Sequence, residues 1–256
     1  MHNIPFIILA QNAALLLAAT MIFDLVAARL DRGNRNLGEI PVGLALGLIG
    51  LIVMLTPWTL APGIVFDTRS VLLGLTGLFF GTLPTLIVMV ITAAFRLYQG
   101  GAGALTGILV ILATGATGLL WRRFRRAPLA DIGWRELFLF GLVVHLIMLA
   151  IMATLPREAV LPVISRIALP VLTLYPLGTA LLGALMANRL RRAAKDDVLR
   201  EAELQFRRLA NAGPGLIWTS KPDRQRNYFN QPWLAFTGRL PAQELGEGWL
   251  AGVHPE

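Results

Sequence analysis

The stretch GIVFDTRSVLLGLTGLFFGTLPTLIVMVITAAFRLYQGGAGALTG, residues 63–107, is almost entirely apolar. It nevertheless carries Asp67 and Arg69 near its start and Arg96 near its end. An arginine at the centre of a membrane helix costs about 3 kcal/mol on insertion scales. Ionisable residues inside apolar segments are therefore candidates for a functional site.

The whole chain has the composition of a membrane protein. Its 256 residues are 55% hydrophobic and only 15% charged, against about 25% charged in soluble domains, and the mean hydropathy is +0.64. These values predict an all-α polytopic membrane bundle with about six apolar segments. The segments lie at about 4–28, 40–58, 71–95, 102–120, 137–155 and 167–187.

The net charge of +8 does not indicate a nucleic-acid partner. The arginines cluster at the ends of apolar segments, where basic residues orient membrane helices. The three clusters fall within residues 29–35, 122–135 and 189–195. They predict a multi-pass protein with its N-terminus outside and its C-terminus in the cytoplasm.

This orientation requires residues 70–97 to begin and end on the outer side. Gly81 and Pro84 interrupt that run, and a proline inside a helical pattern kinks or breaks the helix. We therefore predict a broken or re-entrant helical hairpin at 70–97. The alternative is one straight span, which would place the basic residues 122–126 outside.

The two arginines suggest a small anion pocket. Guanidinium groups hold carboxylates and phosphates through paired, charge-assisted hydrogen bonds. Gly100 and Gly101, followed by a new helix predicted to start at Ala102, would offer backbone N–H groups. In the alternative interpretation Arg69 and Arg96 are snorkelling anchors, or Asp67 pairs with one of them.

Three further polar residues are candidates for lining the cavity. Gln11 and Asn12 lie in the outer part of the first segment, and His145 lies within LVVHLIMLAIM. A lone histidine on an apolar face is more often packed and hydrogen-bonded than a ligand. We find no catalytic constellation, metal-ligand spacing or cofactor motif, and the chain has no cysteine.

Composition changes near Arg189, where a charged, helix-forming segment begins. Residues 191–212 predict a helical signalling linker with a heptad-like seam that would form a homodimeric coiled coil, or else a solvated amphipathic helix. After Gly213, LIWTS and NYFN predict a β-hairpin, and QPWLAFTG predicts a short helix.

Two resemblances follow from these motifs. The order G-x-x-x-D-x-R, an apolar glycine-rich run, then R-L-Y-x-G-G-x-G is similar to the five-transmembrane receptor domain of the LytS/YhcK type, over about residues 10–190. The order of residues 206–256, ending in G-W-L-A-G-V-H-P-E, resembles the first half of a PAS domain. The implied organisation is a sensor domain at 1–190, the linker at 191–212 and a truncated PAS domain at 213–256.

The resemblance implies a function. LytS-type domains are membrane sensors of bacterial histidine kinases and of some diguanylate cyclases, and some members sense pyruvate-like carboxylates and control cell-wall organisation. It implies that Arg69 and Arg96 bind ligand, and that a kinase domain beyond this sequence passes phosphate to a response regulator from the inner membrane. A diguanylate cyclase receptor with the same sensor is one alternative. A transporter-like solute-binding protein is another, because broken helices also suit transport.

Overall fold

The computed structural model describes residues 35–55, 58–61 and 64–252. The first predicted apolar segment, with Gln11 and Asn12, lies outside the described residues. The chain divides into two compact units, Met1–Arg191 and Arg192–Glu256.

The first unit is a bundle of helices with one short hairpin. Its elements are α1 (Arg35–Leu55), β1 (Trp58–Ala61), β2 (Ile64–Phe66), α2 (Arg69–Phe79), α3 (Thr82–Gln99), α4 (Ala104–Phe124), α5 (Trp134–Ile151) and the first part of α6 (Arg157–Ala212). Strands β1 and β2 are antiparallel, and the sequence analysis did not predict them. Five of the described helices are long and apolar enough to cross a membrane, namely α1, α3, α4, α5 and α6. The prediction of a polytopic helical bundle is thus confirmed.

The apolar run at 70–97 is interrupted, as predicted. Helix α2 ends at Phe79, and α3 begins at Thr82. Gly81 between them has φ +89°, in the left-handed region that side chains rarely adopt. Pro84 lies in the first turn of α3, where its missing N–H removes no helical hydrogen bond. The alternative of one straight helix is therefore wrong.

Helix α2 packs closely against α4 through glycines on both helices. A methyl group built on Gly118 would come within 2.3 Å of the Gly74 carbonyl oxygen. One built on Gly77 would lie 2.7 Å from the Gly115 carbonyl oxygen. Small residues allow this backbone-to-backbone contact, which holds α2 against the middle of α4.

Helix α3 packs beside α1 in the same direction. Gly43 of α1 faces Ile87, and further along α1 Gly50 faces Thr92. The buried Thr92 hydroxyl donates to the carbonyl oxygen of Val88 at 2.7 Å, so a polar side chain inside the bundle is satisfied by its own helix.

Arg122 of α4 hydrogen-bonds the end of α2 at the interruption between α2 and α3. Its Nη1 donates to the carbonyl oxygens of Phe79 at 2.9 Å and Leu78 at 3.3 Å. The last carbonyls of a helix have no partner within that helix, and leaving them unpaired in an apolar interior is costly. Arg122 therefore caps α2 at the point where α3 turns back.

The second unit contains the C-terminal part of α6 and a small α/β segment. Its elements are β3 (Trp218–Ser220), β4 (Arg226–Phe229), α7 (Gln231–Thr237), α8 (Pro241–Glu244) and a 3-10 turn at Gly248–Gly252. Strands β3 and β4 form an antiparallel pair. The predicted hairpin and short helix are confirmed, and Gly238 ends α7 with φ +68°.

Asn230 holds this small unit together. Its side-chain oxygen accepts from the N–H groups of Ile217 and Trp233, both at 3.0 Å. Its amide nitrogen donates to the carbonyl oxygens of Ala210 and Gly215, both at 2.7 Å. One buried side chain thus joins the end of α6, the approach to β3 and the start of α7.

Replacing Arg122 with methionine should destabilise the bundle, because the Leu78 and Phe79 carbonyls would lose their donor. We expect a loss of about 1–3 kcal/mol, the cost of leaving a buried polar group unsatisfied. Thermal unfolding in nanodiscs would measure it. The exposed neighbour Arg123 is the matched control, and equal effects of Arg123→Met and Arg122→Met would contradict the capping role.

Candidate functional site

A buried polar cluster lies at the end of the bundle where α2 begins and α3 finishes. We call it the Arg69–Arg96 cluster. Its members come from four helices and the approach to α2, and all are buried. They are Asp67, Thr68, Arg69, Ser70, Arg96, His145 and Tyr175.

The start of α2 positions the first members. Thr68 precedes the helix, and its carbonyl oxygen accepts from the N–H of Val71 at 3.1 Å. Asp67 Oδ1 accepts from the N–H of Arg69 at 3.0 Å and lies 3.5 Å from Arg69 Nε. A carboxylate at a helix N-terminus is stabilised by the free N–H groups and the helix dipole.

Several polar atoms of this turn are buried without a partner. Among the described residues, Asp67 Oδ2, Thr68 Oγ1 and Arg69 Nη1 have no hydrogen-bond partner. Only about 6% of Arg69 is exposed, so water does not reach it freely. Buried polar groups are nearly always hydrogen-bonded, and exceptions in a folded protein call for an explanation.

Arg96 enters the cluster from the last turn of α3. Its Nη1 donates to the Gly100 carbonyl oxygen at 3.1 Å, and its side chain lies against Gly107 of α4. A methyl group on Gly107 would come within 2.6 Å of Arg96 Nε. Electrostatic interactions link Arg96 to both Arg69 and Asp67. The reversal at Gly81 therefore brings the two arginines, 27 residues apart in sequence, to the same end of the bundle.

The two glycines predicted to offer N–H groups, Gly100 and Gly101, do not lie directly at the start of the next helix. The Gly100 N–H donates to the carbonyl oxygens of Arg96 and Leu97 and ends α3. Gly101 is exposed with φ +87°. The next helix begins at Ala104 rather than Ala102. Gly100 thus contributes its carbonyl oxygen to Arg96, while its N–H serves the helix end.

His145 joins the cluster to α5. Its Nδ1 lies 2.6 Å from the Gly141 carbonyl oxygen, an acceptor, which assigns the ring proton to Nδ1 in the neutral imidazole. Nε2 then accepts from the Ser70 hydroxyl at 3.2 Å. His145 therefore lies in a packed, hydrogen-bonded environment.

Tyr175 extends the contacts to α6. Its ring centroid lies 5.2 Å from that of His145. Sequence reasoning missed Thr68, Ser70 and Tyr175. Ser70 is adjacent to Arg69 in the sequence, but its hydrogen bond to His145 depends on the packing of α2 against α5, which the sequence does not show directly.

The chain can now be compared with known protein families. A family model described as 5TMR of 5TMR-LYT matches residues 20–189, more than half of the chain. The chain belongs to this family. As a 5TMR-LYT domain with apolar helices long enough to span, it is a multi-pass membrane protein. The domain contains the whole Arg69–Arg96 cluster.

Curated relatives of the 5TMR-LYT chain include a named sensor. The sensor histidine kinase/phosphatase LytS of Staphylococcus aureus (strain Mu50) is 30% identical over 131 residues, which cover 49% of this chain and 22% of LytS. The uncharacterized protein y4lL of Sinorhizobium fredii is 37% identical over 60 residues, covering 23% of this chain and 7% of that protein. The chain thus spans less than a quarter of either relative. No solved structure matches it.

Replacing Ser70 with alanine should leave His145 Nε2 buried without a donor. We expect a loss of about 1–3 kcal/mol in the free energy of unfolding, for the same reason as any orphaned buried acceptor. The control is Ser165→Ala, since the exposed Ser165 hydroxyl bonds the Pro162 carbonyl oxygen of its own helix. Melting curves that are the same for the two variants would show that the Ser70–His145 contact carries no stability.

Proposed function

We propose that the chain is the membrane-embedded sensory part of a sensor histidine kinase, and that the Arg69–Arg96 cluster binds a small carboxylate or another small anion. Membership of the 5TMR-LYT family and the printed name of the LytS relatives support the sensor class. The kinase activity itself would belong to a part of the protein beyond this sequence.

One observation carries the ligand proposal. Arg69 Nη1 is a buried charged donor without an acceptor among the described residues. A carboxylate oxygen satisfies such a donor with a charge-assisted hydrogen bond, which is about twice as strong as a neutral one. Arg96 lies close enough to interact with the same charge. An anion there would also relieve the repulsion between two guanidinium groups in a poorly solvated site.

The cluster offers further contacts to such a ligand. The Thr68 hydroxyl is buried and without a partner among the described residues, so it can donate to a second carboxylate oxygen. Asp67 fixes the direction of Arg69 through the 3.5 Å ion pair. A pyruvate-like carboxylate is the size class that we propose, with Gly100 and Gly101 shaping the edge of the site through their left-handed backbone.

The proposed orientation follows from the charges. The basic residues after α4 and along the end of the spanning part of α6 would lie in the cytoplasm of a bacterium, and the N-terminus outside its inner membrane. The Arg69–Arg96 cluster lies at the other end of α4 from those residues. It would therefore receive its anion from outside the cytoplasm.

The contacts support a route for the signal. The chain of Ser70, His145 and Tyr175 links the start of α2 to the membrane-spanning part of α6. In the proposed mechanism α2 has two arrangements, and a ligand that binds one of them more tightly shifts the population toward that arrangement. The shift would pass along α6, through a homodimeric linker at 191–212 and a PAS-like segment at 213–256, to a kinase and its response regulator.

Titration calorimetry on the chain in nanodiscs, with pyruvate and a series of small carboxylates, tests the proposal. Arg69→Met should raise the Kd by about tenfold to a hundredfold, because it removes a charged hydrogen bond worth about 1.5–3 kcal/mol. Arg69→Lys should have an intermediate effect, since it keeps the charge and loses the planar fork.

The matched control is Arg166→Met, which removes an exposed arginine of α6. It should leave the Kd within twofold. Binding that survives Arg69→Met unchanged, or the absence of binding for every carboxylate in the series, would overturn the proposed site. Unfolding curves of each variant separate lost binding from lost structure.

A further inference from the structure

A groove lies at the far end of α4 from the Arg69–Arg96 cluster, between α4 and α5. Its volume is about 450 Å³, and apolar side chains of Leu120, Phe124 and Ile147 form its walls. Trp121, Arg125 and Glu136 form its polar mouth. Both helices are long and apolar enough to cross a membrane.

The walls of the groove are exposed on the surface of the bundle. Phe124 is 77% exposed and Leu120 is 54% exposed. On the surface of a spanning helix such side chains contact lipid rather than water. Glu136 and Ile147, which both line the groove, are 11 residues apart on α5, or about 16 Å along the helix, which is roughly half of a 30 Å hydrocarbon core. This is the depth that one leaflet's acyl chain occupies.

The mouth of the groove is held together by one carboxylate. Glu136 Oε1 accepts from Arg125 Nε at 2.8 Å and from Trp121 Nε1 at 3.2 Å. Arg125 Nη2 lies 3.3 Å from Glu136 Oε2. The charge of Glu136 is thereby neutralised by Arg125, so it does not repel an anion that approaches the groove.

The sequence neighbours of Arg125 and Glu136 add positive charge to this end of the two helices. Arg126 directly follows Arg125, Arg135 directly precedes Glu136, and both are exposed. Basic residues next to a membrane span attract anionic headgroups, by about 1 kcal/mol for each residue near the surface. An apolar groove whose polar mouth is flanked in sequence by two exposed arginines matches the chemistry of a lipid with a negative headgroup.

We propose that this groove binds an anionic phospholipid, with one acyl chain between α4 and α5 and its phosphate near Arg126 and Arg135. The bound lipid would also affect the position of α6. Arg191 of α6 makes two hydrogen bonds to the segment between α4 and α5. Its Nη2 donates to the Ile132 carbonyl oxygen at 3.2 Å, and its Nε donates to the Ala130 carbonyl oxygen. A lipid that holds this segment therefore also stabilises the position of α6.

Native mass spectrometry of the detergent-purified chain tests the headgroup. Phosphatidylglycerol should bind about tenfold more tightly than phosphatidylcholine with the same acyl chains. The double variant Arg126→Gln/Arg135→Gln should lose most of that preference. The matched double variant Arg157→Gln/Arg166→Gln removes two exposed arginines of α6 and should keep it.

A second pair of variants tests the groove itself. Thr117 lines it, and Thr117→Phe should fill it and weaken phosphatidylglycerol binding at least fivefold. The control is Thr173→Phe, because the exposed Thr173 hydroxyl likewise bonds the carbonyl oxygen four residues earlier in its helix. Its effect should stay within twofold.

Three results would overturn the proposal. The first is equal binding of the two lipids, and the second is an equal loss in both arginine double variants, which would indicate only general attraction to a basic protein. The third is an unchanged affinity in Thr117→Phe. Thermal unfolding of each variant distinguishes a lost lipid site from a misfolded protein.

Discussion

The structure of the first unit depends on one constraint, the need to satisfy backbone hydrogen bonds where an apolar helix is interrupted. A helix that ends inside the packed bundle leaves its last carbonyl oxygens without a partner in that helix, and unpaired buried carbonyls are costly, so the protein itself must supply hydrogen-bond donors. Arg122 supplies them at the end of α2 by donating to the carbonyl oxygens of Leu78 and Phe79. It reaches them because glycines 74, 77 and 118 let α2 pack against α4 backbone to backbone.

The interruption has a consequence at the opposite end of the two helices. Since α3 returns after Gly81, Arg69 and Arg96 reach the same end of the bundle and interact there with Asp67. Two cations inside an apolar bundle are costly, and the ion pair with Asp67 offsets part of the cost for Arg69. The anion ligand that we propose for this cluster rests on Arg69 Nη1, which has no hydrogen-bond partner among the described residues.

The helical bundle and the break in residues 70–97 could be predicted from the sequence, because hydropathy, charge clusters and the FFGTLP turn are local signals. The Arg69–Arg96 pairing followed from counting membrane crossings. The hairpin at residues 58–66 could not be predicted, since two very short strands leave little periodicity. The Ser70–His145 bond and the Arg122 cap depend on which helix faces which, and a single sequence does not encode that directly. The start of α4 at Ala104 instead of Ala102 reflects the two left-handed glycines that precede it.

The most direct test of the account is the sidedness of the two ends of the broken hairpin. The chain has no cysteine, so a single cysteine can be introduced at Ala61, Ala102 or Ala127 and labelled in intact cells with a membrane-impermeant thiol reagent. The account predicts that Ala61→Cys and Ala102→Cys are both labelled from outside, and that Ala127→Cys is labelled only after the membrane is made permeable. Labelling of Ala61→Cys and Ala102→Cys from opposite sides would mean that residues 70–97 cross the membrane once, which would separate Arg69 from Arg96 and contradict the account.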